Sequence, residues 1–274
     1  MKAMVRMGLW WGSMAWMVAM AGTAQANCTR PLAVPMAPIG LSVSFDDDRT
    51  SGVYPTLLRE MSAGTGCEFQ VQRVPRARLQ KMFETGQADL LLPASASPAR
   101  DQDGEFVPLI QVRASLLTLT RDRPLPRSLA ELVATPGLKL AVVRGFNFGP
   151  AYEQMVVALR AQKRLVEEPD AGGVARALRQ GLAQATVMTA SIFIGTLLGE
   201  ADLAPLVKQL NVDALEELGW SESGVYLSRH SLSEADRRAL RQALTQSAKS
   251  GRVWQLFNDH HPPGSLGGSI RPLF

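Results

Sequence analysis

Apolar positions along this chain switch between strand-like and helix-like spacing, and the alternation marks out its elements. Residues 31–37 read as a first strand, with Pro38, Ile39 and Gly40 opening a loop. Val53, Leu57, Leu58 and Met61 then recur at helical spacing, and Gly64 and Gly66 are expected to end that helix. Residues 68–74 alternate as a second strand, and Leu79 to Phe83 predict a short helix. Gly86 and Gln87 punctuate the chain before Leu90, Leu91 and Leu92, a continuous apolar run of the kind found in a parallel strand covered on both faces. Pro93 has no N–H to donate and is expected to stop that ladder. The resulting β-α-β-α-β series predicts an α/β lobe.

A second series follows. Residues 114–120 read as a strand, and Pro124 and Pro126 stiffen a polar connector over 121–127. A helix start at 128–132 precedes a strand at 138–143, a glycine-rich turn at 145–149 and a helix from about Pro150 to Gln162. Ala175, Leu178 and Leu182 predict a helix near Gly181, and strands are expected at 185–188, 206–210 and 219–227. Ser231 with Glu234 forms a capping-box candidate, and Leu232, Ala235, Ala239, Leu240, Ala243 and Leu244 make the apolar face behind it. Gly251 interrupts this helix, Val253, Trp254, Leu256 and Phe257 continue in a shorter one, and the Pro- and Gly-rich end from Pro262 is expected as a loop or mobile tail.

Composition narrows the class. Lys2 and Arg6, an apolar run from Gly8 to Met20 and the triplet Ala24-Gln25-Ala26 have the form of a secretory leader cleaved after Ala26. No later run approaches the roughly 18 apolar residues that cross a bilayer, so an exported, soluble product is expected. Of the net charge of +4, Lys2 and Arg6 supply two units; the remaining near-neutral balance gives no electrostatic case for a nucleic-acid partner. Cys28 and Cys67 precede the first two predicted strands. If those strands are parallel neighbours, one disulfide spans them. Asp46, Asp47 and Asp48 lack the later Gly and Glu of a calcium loop, so a solvated turn is expected there. No metal site, cofactor or catalytic motif is predicted, and His230, His260 and His261 are expected at the surface.

The chemistry concentrates after Leu92. Ser95, Ser97 and Arg100 follow the carboxyl end of a strand, where open α/β sheets gather their ligands, and a planar guanidinium can hold a carboxylate bidentately. The plainer alternative is that Arg100 pairs with Asp101 on a solvated loop. The segment G-Q-A-D-L-L-L-P-A-S-A-S-P-A-R-D resembles the G-x-x-D, apolar run, x-S/T-x-S/T-x-x-R stretch of bacterial periplasmic solute-binding proteins of the amino-acid type, family 3.

That resemblance implies the type II periplasmic-binding fold: two α/β lobes, each a mostly parallel sheet flanked by helices, joined by two crossover strands. Lobe 1 would comprise 27–120 and 221–274, and lobe 2 would comprise 121–220. Arg100 would clamp a ligand carboxylate with Ser95 and Ser97 beside it, and Arg78, and after it Arg76, could face the cleft. Gly145, Phe146 and Asn147 replace the family's usual G-T-T/S turn, which suggests an aromatic wall with one amide; a glycine-rich turn before a helix also leaves N–H groups that can hold an anion. Thr189 stands where the family carries an Asp for the ligand ammonium, which argues against an ordinary α-amino acid. The implied function is periplasmic capture of a small carboxylate-bearing solute by a monomer, for an ABC permease. A stand-alone sensory or accessory protein and a dehydratase-like enzyme of the same fold are the alternatives.

Overall fold

The computed structural model describes residues 28–46, 49–120, 124–266 and 268–274. The expected leader, Asp47, Asp48 and the first part of the connector at 121–127 lie outside the described residues. In chain order the first elements are β1 (Leu32–Met36), β2 (Ser44–Asp46), β3 (Arg49–Ser51), α1 (Val53–Thr65), β4 (Phe69–Arg73), α2 (Arg76–Glu84), β5 (Leu90–Ser95), α3 (Pro98–Asp103) and β6 (Gly104–Val112). Then follow β7 (Ala114–Thr118), α4 (Leu129–Ala134), β8 (Leu140–Val143), α5 (Pro150–Ala161), β9 (Leu165–Glu168), α6 (Ala171–Arg179), β10 (Ala185–Thr189), α7 (Ala190–Gly199) and β11 (Asn211–Asp213). The chain closes with β12 (Ser221–Ser228), α8 (Glu234–Lys249), α9 (Arg252–His260) and β13 (Ile270–Pro272).

Two lobes result. In the second, five strands run in the order β11-β7-β10-β8-β9, parallel for β10-β8-β9 and antiparallel where β7 meets β10 and β11. One face of this sheet packs through Leu117, Ala141 and Met188 against α6 and α7. The other face packs through Leu116, Leu140 and Val187 against Leu132, Tyr152 and Leu159 of α4 and α5. In the first lobe β1 pairs β4 in parallel, and β13-β6-β12-β5 form an antiparallel ladder. The Asp89 N–H donates to the Ala33 carbonyl (2.8 Å) and ties β5 alongside β1. One large core, including Leu32, Leu57, Leu90, Leu109, Leu240 and Phe257, joins these strands to α1, α8 and α9. The chain passes between the sheets at Arg113 and again over residues 214–220, so β7 is a strand of the second sheet and β12 one of the first.

Several sequence expectations shift for identifiable reasons. Pro93 does not stop its ladder. Ala94 pairs Gly224 and Leu91 pairs Tyr226, so Leu92 and Pro93 together oppose Val225; this bulge is a place where a missing N–H costs no ladder bond. The Leu90–Leu92 run is fully buried, as its composition predicts, yet its ladder partner β12 is antiparallel. Gly64 lies within α1, and Gly66, left-handed at φ 69°, ends it. The strand expected at 206–210 is a 3₁₀ helix, Ala204–Gln209, and the pairing residues are Asn211–Asp213. The α8 cap is Ser233, whose hydroxyl accepts from the Asp236 N–H (3.1 Å), because the Ser231 hydroxyl is engaged by Asp89 (2.6 Å). The expected tail from Pro262 instead folds back: β13 pairs Ile270 with Val112 and buries its side chain. His261 is buried, stacked 5.6 Å from Phe257, rather than at the surface.

Cys28 and Cys67 form the expected disulfide, at a Cα–Cα distance of 4.8 Å. The parallel register that pairs Leu32 with Phe69 brings them together. Nearby, the carboxylate of Asp89, 1% exposed, accepts both Arg30 Nη1 (2.8 Å) and Nη2 (2.6 Å), the Ala33 N–H (2.7 Å) and the Ser231 hydroxyl (2.6 Å). The Asp of the G-x-x-D pattern is therefore the post to which β1, β5 and the start of α8 are tied.

Candidate functional site

The carboxyl end of β5 lies at the seam between the lobes, against a cavity of about 60 Å³. From the first lobe Ile39, Tyr54, Arg76, Ser95, Arg100 and Phe257 contribute to its wall; from the second come Phe146, Asn147, Phe148, Thr189 and Ile192. A groove of about 470 Å³ shares Ser95, Arg100, Phe146 and Asn147 with it and extends outward past Gln80, Glu84, Ser97, Gly145 and Glu153.

Arg100 sits on α3, a single turn started by Pro98 and capped by Ser97, whose hydroxyl accepts from the Arg100 N–H (3.4 Å). Its side chain turns inward: Nη1 donates to the Ser95 carbonyl (2.8 Å) and Nε to Gln80 Oε1 (2.9 Å). The alternative pairing with Asp101 does not form, because Asp101 accepts the Tyr226 hydroxyl (2.7 Å). That same phenol oxygen accepts the Ser97 N–H (2.9 Å), so a buried tyrosine of β12 holds the turn that carries Arg100. Burial, with the Asp101 carboxylate adding to it, pushes the Tyr226 hydroxyl up to about 12 even though the Ser97 N–H works the other way, and the phenol stays a donor throughout the physiological range. Ser97 itself lines only the outer groove, where its role is the cap.

Arg78 is exposed and lines neither space; Arg76, two residues earlier on α2, lines the cavity in its place. Arg76 Nη2 donates to the Pro93 carbonyl (3.1 Å), and its guanidinium carbon lies 5.7 Å from the Phe146 ring centroid, a cation–π contact across the seam. Burial, with the positive field of Arg100 behind it, pushes this guanidinium down to about 10, and burial lowers Arg100 as well. Both remain cationic at neutral pH.

The 145–149 turn spends two of its backbone donors within itself. The Phe146 N–H donates to Val143 (3.1 Å) and the Gly149 N–H to Asn147 Oδ1 (2.8 Å), so the turn consumes those donors. Gly145, at φ 85°, sits close against the other lobe: a Cβ there would lie 3.2 Å from Ala77 Cα. Asn147 also donates to Glu153, and Phe146 stacks edge-on with Phe148 (5.8 Å), which meets Tyr152 (5.0 Å). Thr189, 2% exposed, ends β10 at the cavity wall. Sequence reasoning missed Tyr226 and Gln80 as supports of Arg100. The phase of α2, which ranks Arg76 above Arg78, is fixed only once Pro75 is seen to precede its first residue.

The seam is tight elsewhere. A Cβ on Gly40 would lie 2.6 Å from the Ile192 carbonyl oxygen, and one on Gly195 would lie 2.6 Å from the Leu41 amide nitrogen. Phe146 and Ile192 pack against the cores of both lobes.

No family model and no curated protein matches the sequence. Solved structures do match over most of the chain. A histidine kinase sensor domain with similarity to periplasmic binding proteins superposes with a TM-score of 0.69 at 18% identity, covering 89% of this chain and 98% of that one. The amino-acid ABC transporter substrate-binding protein AbpA of Streptococcus pneumoniae, bound to L-arginine, gives 0.67 at 18% identity, covering 86% and 94%. The arginine-, lysine-, histidine-binding protein ArtJ of Geobacillus stearothermophilus gives 0.66 at 12% identity, covering 85% and 97%. The two α/β lobes, the double passage between them and the seam at the end of β5 are those of the type II periplasmic-binding fold, and this chain adopts that fold.

Proposed function

We propose that this protein captures a small carboxylate-bearing solute between its two lobes, as a monomer in the periplasm, and delivers it to an ABC-type permease. The observation that carries this reading is the interlobe cavity itself, where Arg76 and Arg100 stand at the end of β5 beside an apolar wall. Arg100 would clamp the carboxylate, with Ser95 beside it. The lobes would hinge about Arg113 and residues 214–220, and a solute touching both would favour the closed arrangement. The role is capture rather than catalysis. The resemblance to substrate-binding proteins supports this.

The test is thermal unfolding of the oxidised protein against amino acids, mono- and dicarboxylates, aromatic acids and small cations, with Arg100→Ala in parallel. A carboxylate at one hundred times its dissociation constant should stabilise the wild type by about 2.7 kcal/mol and leave the variant unshifted. No shift with any compound in a well-folded protein sinks the capture reading. The sensor-domain likeness favours a second reading, in which the loaded protein signals to a membrane kinase instead of a permease; copurification with solubilised membrane proteins separates the two.

A further inference from the structure

The charges around the cavity are one-sided. Among the described residues its wall contains two guanidinium groups and no carboxylate. Neither Arg76 nor Arg100 forms an ion pair among the described residues; Glu153, whose charge acts on Arg100, lies in the outer groove and not in the cavity wall. The two groups are anchored on carbonyls of Pro93 and Ser95, two residues apart on one strand and so about 6.6 Å apart on the same edge. A guanidinium has five N–H donors. The bonds described occupy one of Arg76's and two of Arg100's, which leaves donors on both for one anionic group between them. The rest of the wall is largely apolar, from Ile39, Ile110, Phe146, Phe148 and Phe257, and the buried position at the end of β10 is the neutral Thr189.

An ammonium in this space would meet two like charges and, among the described residues of the wall, no counter-charge, in surroundings where an unpaired ion is costly. On the capture reading above, we infer that the ligand is a small apolar carboxylate without an amino group, its carboxylate shared by Arg76 and Arg100 and its hydrocarbon body seated against the Ile–Phe wall. Arg76 is thereby a second anion contact that sets specificity: it adds the positive charge that rejects a zwitterion.

Titration calorimetry with pairs differing only in the amino group tests this: 3-phenylpropanoate against L-phenylalanine, and 4-methylpentanoate against L-leucine, on the wild type, Arg76→Gln and Arg100→Ala. The deamino member of at least one pair should bind at least about tenfold tighter than its partner, a difference of about 1.4 kcal/mol. Arg76→Gln should weaken it by at least about tenfold and narrow the gap within the pair. Arg76→Lys retains the charge and covers the case where the neutral variant misfolds; it should bind more weakly than wild type in the same order of preference. An amino acid that binds as tightly as its deamino partner, or affinity unchanged in Arg76→Gln, overturns the inference and leaves capture standing. Binding of some other compound in the unfolding panel but of neither deamino acid also overturns it, whereas silence across that whole panel is the failure of capture itself.

Discussion

Gly40 of the first lobe and Gly195 of α7 in the second approach so closely that a Cβ on Gly195 would lie 3.3 Å from Gly40 Cα and 2.6 Å from the Leu41 nitrogen. Gly195 is helical and carries no left-handed strain, so an added methyl there acts on the seam alone. Gly195→Ala should leave each lobe folded and shift the molecule toward an open arrangement. The expected outcome is a larger radius of gyration by small-angle scattering and a ligand affinity lowered by about tenfold, the cost of about 1.4 kcal/mol against closure. An unchanged radius and affinity would mean that the lobes part at no cost to binding.

Asp89 predicts an acid limit. Burial works to raise its pKa, but the Arg30 guanidinium, the Ser231 hydroxyl and the Ala33 N–H outweigh it and hold the carboxyl below its ordinary value. A depressed folded-state pKa contributes stability that is present above the unfolded value, near pH 4, and is lost as pH falls through the folded value. Because Arg30 is 45% exposed and can be solvated once its partner is lost, Asp89→Asn should cost about 1–3 kcal/mol at neutral pH, and the gap from wild type should narrow as pH falls below about 4. Denaturant melts at several pH values measure both.

The Cys28–Cys67 bridge closes a loop of 39 residues. By chain entropy, a loop of that length stabilises the fold by about 4 kcal/mol. The Cys28→Ser, Cys67→Ser double variant should lose that amount in urea unfolding while its far-ultraviolet dichroism stays native, because β1 and β4 still pair without the bridge.

Tyr226→Phe removes one hydroxyl and leaves the Ser97 N–H and the Asp101 carboxylate without their partner. The stability cost should be about 1–3 kcal/mol. The readout particular to this arrangement is looser α3: faster amide exchange at Arg100 and weaker ligand binding, with the core packing of the ring against Phe83 and Phe106 retained.

The elements were legible in the sequence wherever local periodicity decides them. Val53 to Met61 folds as a helix and Leu140 to Val143 as a strand, as their spacing implies; Leu90 to Leu92 form a buried strand, though in an antiparallel rather than a parallel pairing. Cys28 with Cys67 was legible too, because parallel pairing of the first two strands brings both to one edge. What escaped depends on distant partners. Pro93 is tolerated because it shares a bulge with Leu92 opposite Val225, far along the chain. Ser231 is diverted from capping by Asp89, and the C-terminal residues are ordered by a strand that ends at Val112. At the cavity, the pattern offered Arg100, Ser95, Phe146, Asn147 and Thr189, all of which contribute to its lining. It ranked Arg78 over Arg76 because the rotational phase of a short helix is not readable from two arginines, and it gave no sign that Tyr226 steadies the turn.

Strand β12 lies between β5 and β6, with Ser223 opposite both Ser95 and Ile110. A chain that emerges from its amino end can complete the second sheet, contiguous from Ala114 to Asp213, before β12 exists. Until then β5 and β6 expose unpaired backbone edges, the surfaces most prone to pair with the wrong chain. The arginine-bearing end of β5 is thus among the last parts of the molecule to be set. Any delay in folding would leave the interlobe cavity incomplete for longest.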